Sequence, residues 1–324
     1  MKALVVERLS DDYSGVRMKD IDPPSLSPHE LIVAIRAASL NYPDLLMTRG
    51  AYQFKPDLPF VAGMEMAGAV VHAPPNSGFS VGDRVMGGAK TGAFAERIAL
   101  IPSSVRRIPD QLSFEEAAAF GAAYRTAFVA LVELGQLQEG QTVLVHGASG
   151  GVGLAACDLA SALGATVIAA THSTGKHDRL KEVSGANHVI DNAGRFREEV
   201  ETLTEGKLCD LVFDPVGGNV FDESTRCVAF GGKLLVVGFV SGRIPEIAVN
   251  IPLIKGFSVV GVRAGEYTRR FPDRSERIDQ ALHGLLESGA IRPHIHRTQS
   301  LSEWRKAFDD MTAGSLIGKI VLRP

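Results

Sequence analysis

Between Gly147 and Gly153 the chain reads Gly-Ala-Ser-Gly-Gly-Val-Gly, a run of small residues whose backbone N–H groups could approach a pyrophosphate. An apolar run, Val143 to Val145, precedes it, and Val152, Leu154, Ala155, Leu159 and Leu163 follow at helical spacing. Strand, glycine turn and helix in that order read as a dinucleotide site. Gly150, Gly151 and Val152 then lie at a helix N-terminus, where negative charge is favoured. The same turn could serve tight packing alone; the flanking strand and helix favour the ligand. The end of the next strand selects the cofactor. An NAD site carries a carboxylate about 20 residues past the glycines, on the ribose 2′-hydroxyl. No Asp or Glu lies between Leu159 and His177. The loop offers Ser173 and Lys176 instead, a hydroxyl and an ammonium suited to a 2′-phosphate. NADPH is therefore expected; the plainer alternative makes Lys176 a solvated residue of a first helical turn.

Other chemistry is sparse. Cys157, Cys209 and Cys227 are scattered, with neither metal nor disulfide spacing, and fit a reducing compartment as small core residues. His146, His172, His177 and His188 lie in the cofactor half by sequence, but no spacing pairs them as ligands or as a dyad. The formal net charge of −3 gives no electrostatic footprint for nucleic acid or anionic membrane. No stretch approaches the roughly 20 apolar residues of a membrane span. The first apolar run, ending at Glu7, is too short for a signal-peptide core. A soluble cytoplasmic protein is expected.

The elements that position these residues form two groups. Residues 1–120 read as mostly β, with strands at Leu31–Ala37 and Met66–Val71 and turns at Pro23-Pro24, Pro74-Pro75-Asn76 and Gly82-Asp83. Residues 43–48 form a short helix, and Ser113 with Glu116 forms a capping box for another. Over 121–262 strands and helices alternate, with strands at 142–145, 166–171, 188–190, 210–213, 233–237 and 257–262. That pattern predicts an α/β fold with a doubly wound, parallel six-stranded sheet and its ligand at the C-terminal strand ends. Residues 263–324 carry helical faces at Ile278, Leu282, Leu285 and Leu286, and at Trp304, Phe308 and Met311, before a last strand from Ile317. Because the sheet is complete by Val262, this tail is expected to rejoin the first domain.

Gly82-Asp83-Arg84-Val85, the stretch Val143–Leu154, Asp214-Pro-Val-Gly-Gly218 and the ending Gly318-Lys-Ile-Val-Leu-Arg-Pro together carry a resemblance. The chain resembles the medium-chain dehydrogenase/reductase superfamily, in its quinone oxidoreductase (ζ-crystallin-like) branch, over nearly its whole length. The resemblance implies a GroES-like β-rich catalytic domain from residues 1–120 and 263–324, with a Rossmann NADPH-binding domain, 121–262, inserted. It departs from zinc-dependent relatives, which place Cys near position 41 and Gly-His-Glu near 63–65. Asn41 and Gly63-Met64-Glu65 stand here, and the region 73–97 lacks the four cysteines of a structural zinc. A zinc-free site is expected.

Without that Lewis acid, simple alcohol oxidation gives way to acceptors that take hydride readily: quinones and α,β-unsaturated carbonyls. Charge developing on the carbonyl oxygen then needs donors. By similarity to zinc-free enoyl thioester reductases, Tyr52 is the candidate proton donor, or else an aromatic pocket wall. The resemblance also places Asn41 on the nicotinamide ribose or carboxamide and Thr126 by the carboxamide. It runs Val216-Gly217-Gly218 and Phe239-Val240 along the nicotinamide half, and brings Lys319 to a phosphate. Asn192 stands where relatives often have Tyr near the 2′-phosphate, and is expected there as a cofactor contact. The apolar segment Phe257–Val262 at the sheet edge implies a homodimer. The competing readings are an enoyl or acryloyl thioester reductase, with Arg263, Arg269, Arg270 and Arg274 as candidate contacts, and a non-catalytic NADPH-binding, RNA-binding protein.

Overall fold

The computed structural model describes residues 1–324. The chain divides into two units, residues 1–122 with 293–324, and residues 123–292.

The first unit begins with strands β1 (Lys2–Val6), β2 (Val16–Asp20), β3 (Leu31–Ser39), β4 (Phe60–Val61), β5 (Glu65–His72), β6 (Arg84–Gly88), β7 (Arg97–Leu100) and β8 (Val105–Arg107). The second unit contributes β9 (Thr142–Val145), β10 (Thr166–Thr171), β11 (His188–Asp191), β12 (Cys209–Asp214), β13 (Val228–Val236) and β14 (Ser258–Gly261). The chain then returns to the first unit with β15 (Ile295–Ser300) and β16 (Lys319–Arg323).

In the first unit a seven-stranded sheet runs β15-β16-β3-β5-β6-β8, with β7 also on β3, beside a small sheet β2-β1-β4. The last strand of the chain is thus interior: Val321 and Leu322 of β16 lie opposite Ser39 and Ala38 of β3. Alternation of apolar residues along β1, β3 and β5 buries Leu4, Val33 and Met66 in one core, which the tail completes with Trp304, Phe308, Ile320 and Leu322. The helix Tyr42–Thr48 follows β3 directly, started by Asn41 and Asp44 in a capping box and by Pro43 in its first turn.

The second unit is a six-stranded parallel sheet in the order β11-β10-β9-β12-β13-β14. The order reverses direction next to β9, which creates the crevice where such sheets bind ligands. The central strands are apolar throughout because both faces are covered: Val143, Leu144 and Val145 are all fully buried. The α/β class, the β-rich partner and the six strands are as the sequence pattern predicts.

The second crossing between units differs. It falls at residue 293 rather than 263. The helices Ala264–Arg270 and Pro272–Glu287 stay with the parallel-sheet unit, where the Tyr267 hydroxyl donates to Glu133 Oε2 at 2.7 Å and Arg125 pairs with Asp279 at 2.5 Å. Ile278, Leu282 and Leu286 are buried, so the predicted helical face holds while its partner core differs.

Candidate functional site

The glycine turn is shaped by close approach. Gly147 sits at φ +57, and a Cβ on Gly153 would lie 2.2 Å from the Gly147 carbonyl oxygen, so only glycine fits there. Gly150 is the N-cap of the helix Gly151–Ala162 and offers no side-chain acceptor to its first turn. The N–H groups that begin a twelve-residue helix are therefore left for an outside anion. Lys176 reaches this turn from the loop after β10: its Nζ donates to Ser149 Oγ at 3.4 Å. Partial burial pulls the Lys176 ammonium below its usual range. Ser173 is half-buried at the start of the same loop, and Thr171 Oγ1 behind it is buried without a partner. An uncapped helix start, an ammonium and an unused hydroxyl converge on one end of the sheet, which fits a dinucleotide with an added phosphate.

Three of the residues expected along the nicotinamide half, Gly217, Phe239 and Val240, come together in this unit. Asp214 ends β12 and its Oδ1 accepts the N–H groups of Val216 at 2.8 Å and Gly217 at 2.9 Å. Burial raises this carboxyl, and Oδ2 has no partner. The turn it holds is met by the loop after β13: Val240 N–H donates to the Pro215 carbonyl at 3.1 Å. A Cβ on Gly217 would lie 3.0 Å from the Phe239 ring. Gly217, Phe239 and Val240 are thus neighbours, while Thr126 lies half-buried on the helix Gly121–Phe128. Asp214 opens a motif read as a family mark and for its Val216-Gly217-Gly218 backbone, and no local sequence signal showed its organising role.

Asn192 is not at the surface by a phosphate. It is 6% exposed, and its Nδ2 donates to His146 Nδ1 at 3.0 Å. That fixes the tautomer: His146 carries its proton on Nε2 and donates to Ser224 Oγ at 2.8 Å, while Ser224 donates to the Val220 carbonyl at 2.7 Å. Full burial drives the His146 pKa down to about 3, so the ring is neutral. Asn192 is satisfied inside the sheet because a buried neutral imidazole needs a donor there.

In the first unit the end of β3, the start of β5 and β16 meet in a buried polar cluster. Asn41 Oδ1 accepts from Lys319 Nζ at 2.6 Å, and Asn41 Nδ2 donates to Glu65 Oε1 at 2.9 Å and to the Ser39 carbonyl at 3.3 Å. Lys319 Nζ is 3.0 Å from Glu65 Oε1, and Glu65 Oε2 accepts the Ala122 N–H at 2.8 Å. Asp44 Oδ2 accepts the Asn41 N–H at 2.8 Å, whereas its Oδ1 is buried with no partner. Burial raises the Asp44 carboxyl to about 7, against the opposing pull of the Asn41 N–H and Lys319. Lys319 therefore does not reach out to a phosphate. A lysine so deeply buried is held by its carboxylate, and its ammonium faces Glu65 and Asn41. Tyr52 lies half-buried with Phe54 and Met64 against the same domain's core, and Lys90 Nζ sits 4.3 Å from the Phe54 ring centroid.

A GroES-like unit built from both chain segments, together with a parallel six-stranded unit bearing the glycine turn, defines a medium-chain dehydrogenase/reductase. Residues 27–110 match the family model of the alcohol dehydrogenase GroES-like domain, and residues 151–280 that of zinc-binding dehydrogenase. The chain belongs to this superfamily, among its quinone oxidoreductase-like members. It is 36% identical over 303 residues to quinone oxidoreductase-like protein 2 homolog of Nematostella vectensis, spanning 92% of this chain and 82% of that one. A probable oxidoreductase from Mycobacterium abscessus superimposes with a TM-score of 0.91 at 38% identity, over 100% of this chain and 99% of the other. The Escherichia coli quinone oxidoreductase in complex with NADPH superimposes with a TM-score of 0.91 at 25% identity, over 100% of both chains.

Proposed function

We propose that this protein is an NADPH-dependent, zinc-independent reductase that transfers hydride to quinones or α,β-unsaturated carbonyls. The observation that carries the cofactor choice is the Lys176 ammonium on Ser149, 3.4 Å away, beside a helix start with no side-chain cap. A 2′-phosphate suits that ammonium, and no carboxylate lies between β10 and His177 to repel it. The NADPH complex of the Escherichia coli relative supports the same reading.

Zinc independence rests on the side chains present. Asn41 and Met64 supply neither thiolate nor imidazole, and the one retained carboxylate, Glu65, faces an ammonium at 3.0 Å. When bound, the cofactor supplies the hydride. The protein's part is to meet the negative charge that develops on the acceptor's carbonyl oxygen, and Tyr52 is the candidate donor of the proton that follows. Asn41 has both amide hydrogens engaged, so toward a ligand it can only accept. The backbone turn held by Asp214 would line the nicotinamide half.

A homodimer through the sheet edge belongs to the same reading. β14 ends the parallel sheet, and next to it Val249, Leu253 and Ile254 of the segment leading into Gly256 are at least 75% exposed. An apolar surface beside an unpaired edge favours pairing with a second copy. No helix is long and apolar enough to cross a membrane.

Oxidation of NADPH by chelator-treated protein, with a benzoquinone and a 2-alkenal in parallel and NADH as control, tests the proposal. Turnover with either acceptor is expected to survive chelation. Activity abolished by the chelator, or absent with both acceptors, would refute it.

A further inference from the structure

The cluster around Asn41 holds an ion pair in the interior of a domain, where a pair of charges is a poor source of stability and a good source of orientation. Its geometry reads the two ends of one amide. The ammonium of Lys319 meets Asn41 Oδ1 at 2.6 Å, and the carboxylate of Glu65 meets Asn41 Nδ2 at 2.9 Å. Rotating the amide by half a turn would set its N–H groups against the ammonium and its oxygen against the carboxylate, two like-signed contacts in place of two charge-assisted hydrogen bonds. The second amide hydrogen goes to the Ser39 carbonyl at 3.3 Å. The backbone on both sides is pinned as well: Asn41 N–H donates to Asp44 Oδ2 at 2.8 Å, and Leu40 N–H to the Ile320 carbonyl at 3.0 Å.

We propose that Glu65 and Lys319 are positioning residues that lock the Asn41 amide with its carbonyl oxygen as the one polar site left for a ligand. Asn41 then recognises a donor, a hydroxyl or amide N–H, and rejects an acceptor. The proposal rests on the reading above that Asn41 meets the nicotinamide half of the cofactor, and it specifies the chemistry of that contact. Lys319 comes from the last strand and Glu65 from β5, so the lock ties three distant segments to the orientation of one side chain.

The test is a cycle in which the pair is neutralised at similar volume, Glu65→Gln with Lys319→Met, in the parent and in an Asn41→Leu background. NADPH affinity is read from cofactor fluorescence and kcat from quinone turnover. If the pair acts through Asn41, neutralising it lowers kcat or NADPH affinity about tenfold in the parent, the value of one oriented hydrogen bond. In the Asn41→Leu background it changes either by no more than about twofold, because the residue it positions is gone. Equal losses in both backgrounds would overturn the proposal and leave the pair purely structural. An Asn41→Leu variant with unaltered NADPH binding and turnover would instead overturn the placement of Asn41 at the cofactor. Should the neutralised pair fail to fold, hydrogen exchange of the Asn41 side-chain amide decides in the native protein. Protection of both hydrogens by about a hundredfold or more is expected of a buried, doubly bonded amide, and free-amide exchange would refute the lock.

Discussion

Replacing Asp44 with Asn makes a stability difference that depends on pH in a calculable way. The Asp44 side chain is fully buried, and burial lifts its carboxyl from an ordinary 3.8 to about 7. In the unfolded chain the proton leaves near 3.8; in the folded domain it stays until about 7. Between those values the folded state binds the extra proton, so its stability is greatest below 3.8 and falls as pH rises to 7. At about 1.4 kcal/mol per unit, the loss accumulates to about 4 kcal/mol above pH 7. Asn at this position is neutral at every pH, and its carbonyl oxygen can still accept the Asn41 N–H. Asp44→Asn is therefore expected to gain about 1 kcal/mol over the parent near pH 4.5 and about 4 kcal/mol near pH 8. The assay is urea unfolding followed by Trp304, the single tryptophan of the chain, buried in the core of the same domain. A difference that does not grow with pH, or a variant less stable than the parent at pH 8, would show that the carboxyl is not held neutral by burial.

Three further outcomes follow from the geometry. His146 titrates near 3 in the folded protein against an ordinary 6.5, so stability is lost as pH falls below 6.5. His146→Gln should flatten that acid limb by about 1.4 kcal/mol per unit, and parallel acid-unfolding curves by circular dichroism would contradict this. Lys176→Ala should raise the KM for NADPH by ten- to a hundredfold, roughly the worth of one charged hydrogen bond, with little effect on NADH; equal losses for both cofactors would remove Lys176 from the 2′-phosphate. Leu253→Glu, on the exposed apolar segment beside β14, should convert the proposed dimer to monomer in sedimentation at micromolar concentration; a parent that sediments as a monomer, or an unchanged coefficient, would refute pairing at this edge.

The dinucleotide turn and the parallel sheet were legible because their signals are local. Glycines within seven residues, an apolar run before them and a helical period after them all lie in one stretch of chain. Lys319 was misread because its partners are 278 and 254 residues away, so nothing local opposed the phosphate contact that the resemblance implied. Asn192 was misread for the same reason: the imidazole that claims it lies 46 residues earlier, at the end of another strand. The boundary error has a different origin. An amphipathic helix such as Pro272–Glu287 announces that one face is buried without saying against which core, and counting strands closed the domain too early. Glu65 was visible as the retained carboxylate of an altered motif, but its hold on Asn41 needed β3, β5 and β16 side by side.

The interior position of β16 has a consequence for how the molecule is made. Residues 123–292 form one uninterrupted unit that can fold as soon as they leave the ribosome. The unit that starts the chain cannot finish until the last strand arrives beside β3. Until then β3 offers an open edge, and Glu65 has a carboxylate with no ammonium to meet it. Loss of β16 alone therefore leaves a split sheet and a Glu65 carboxylate without its ammonium.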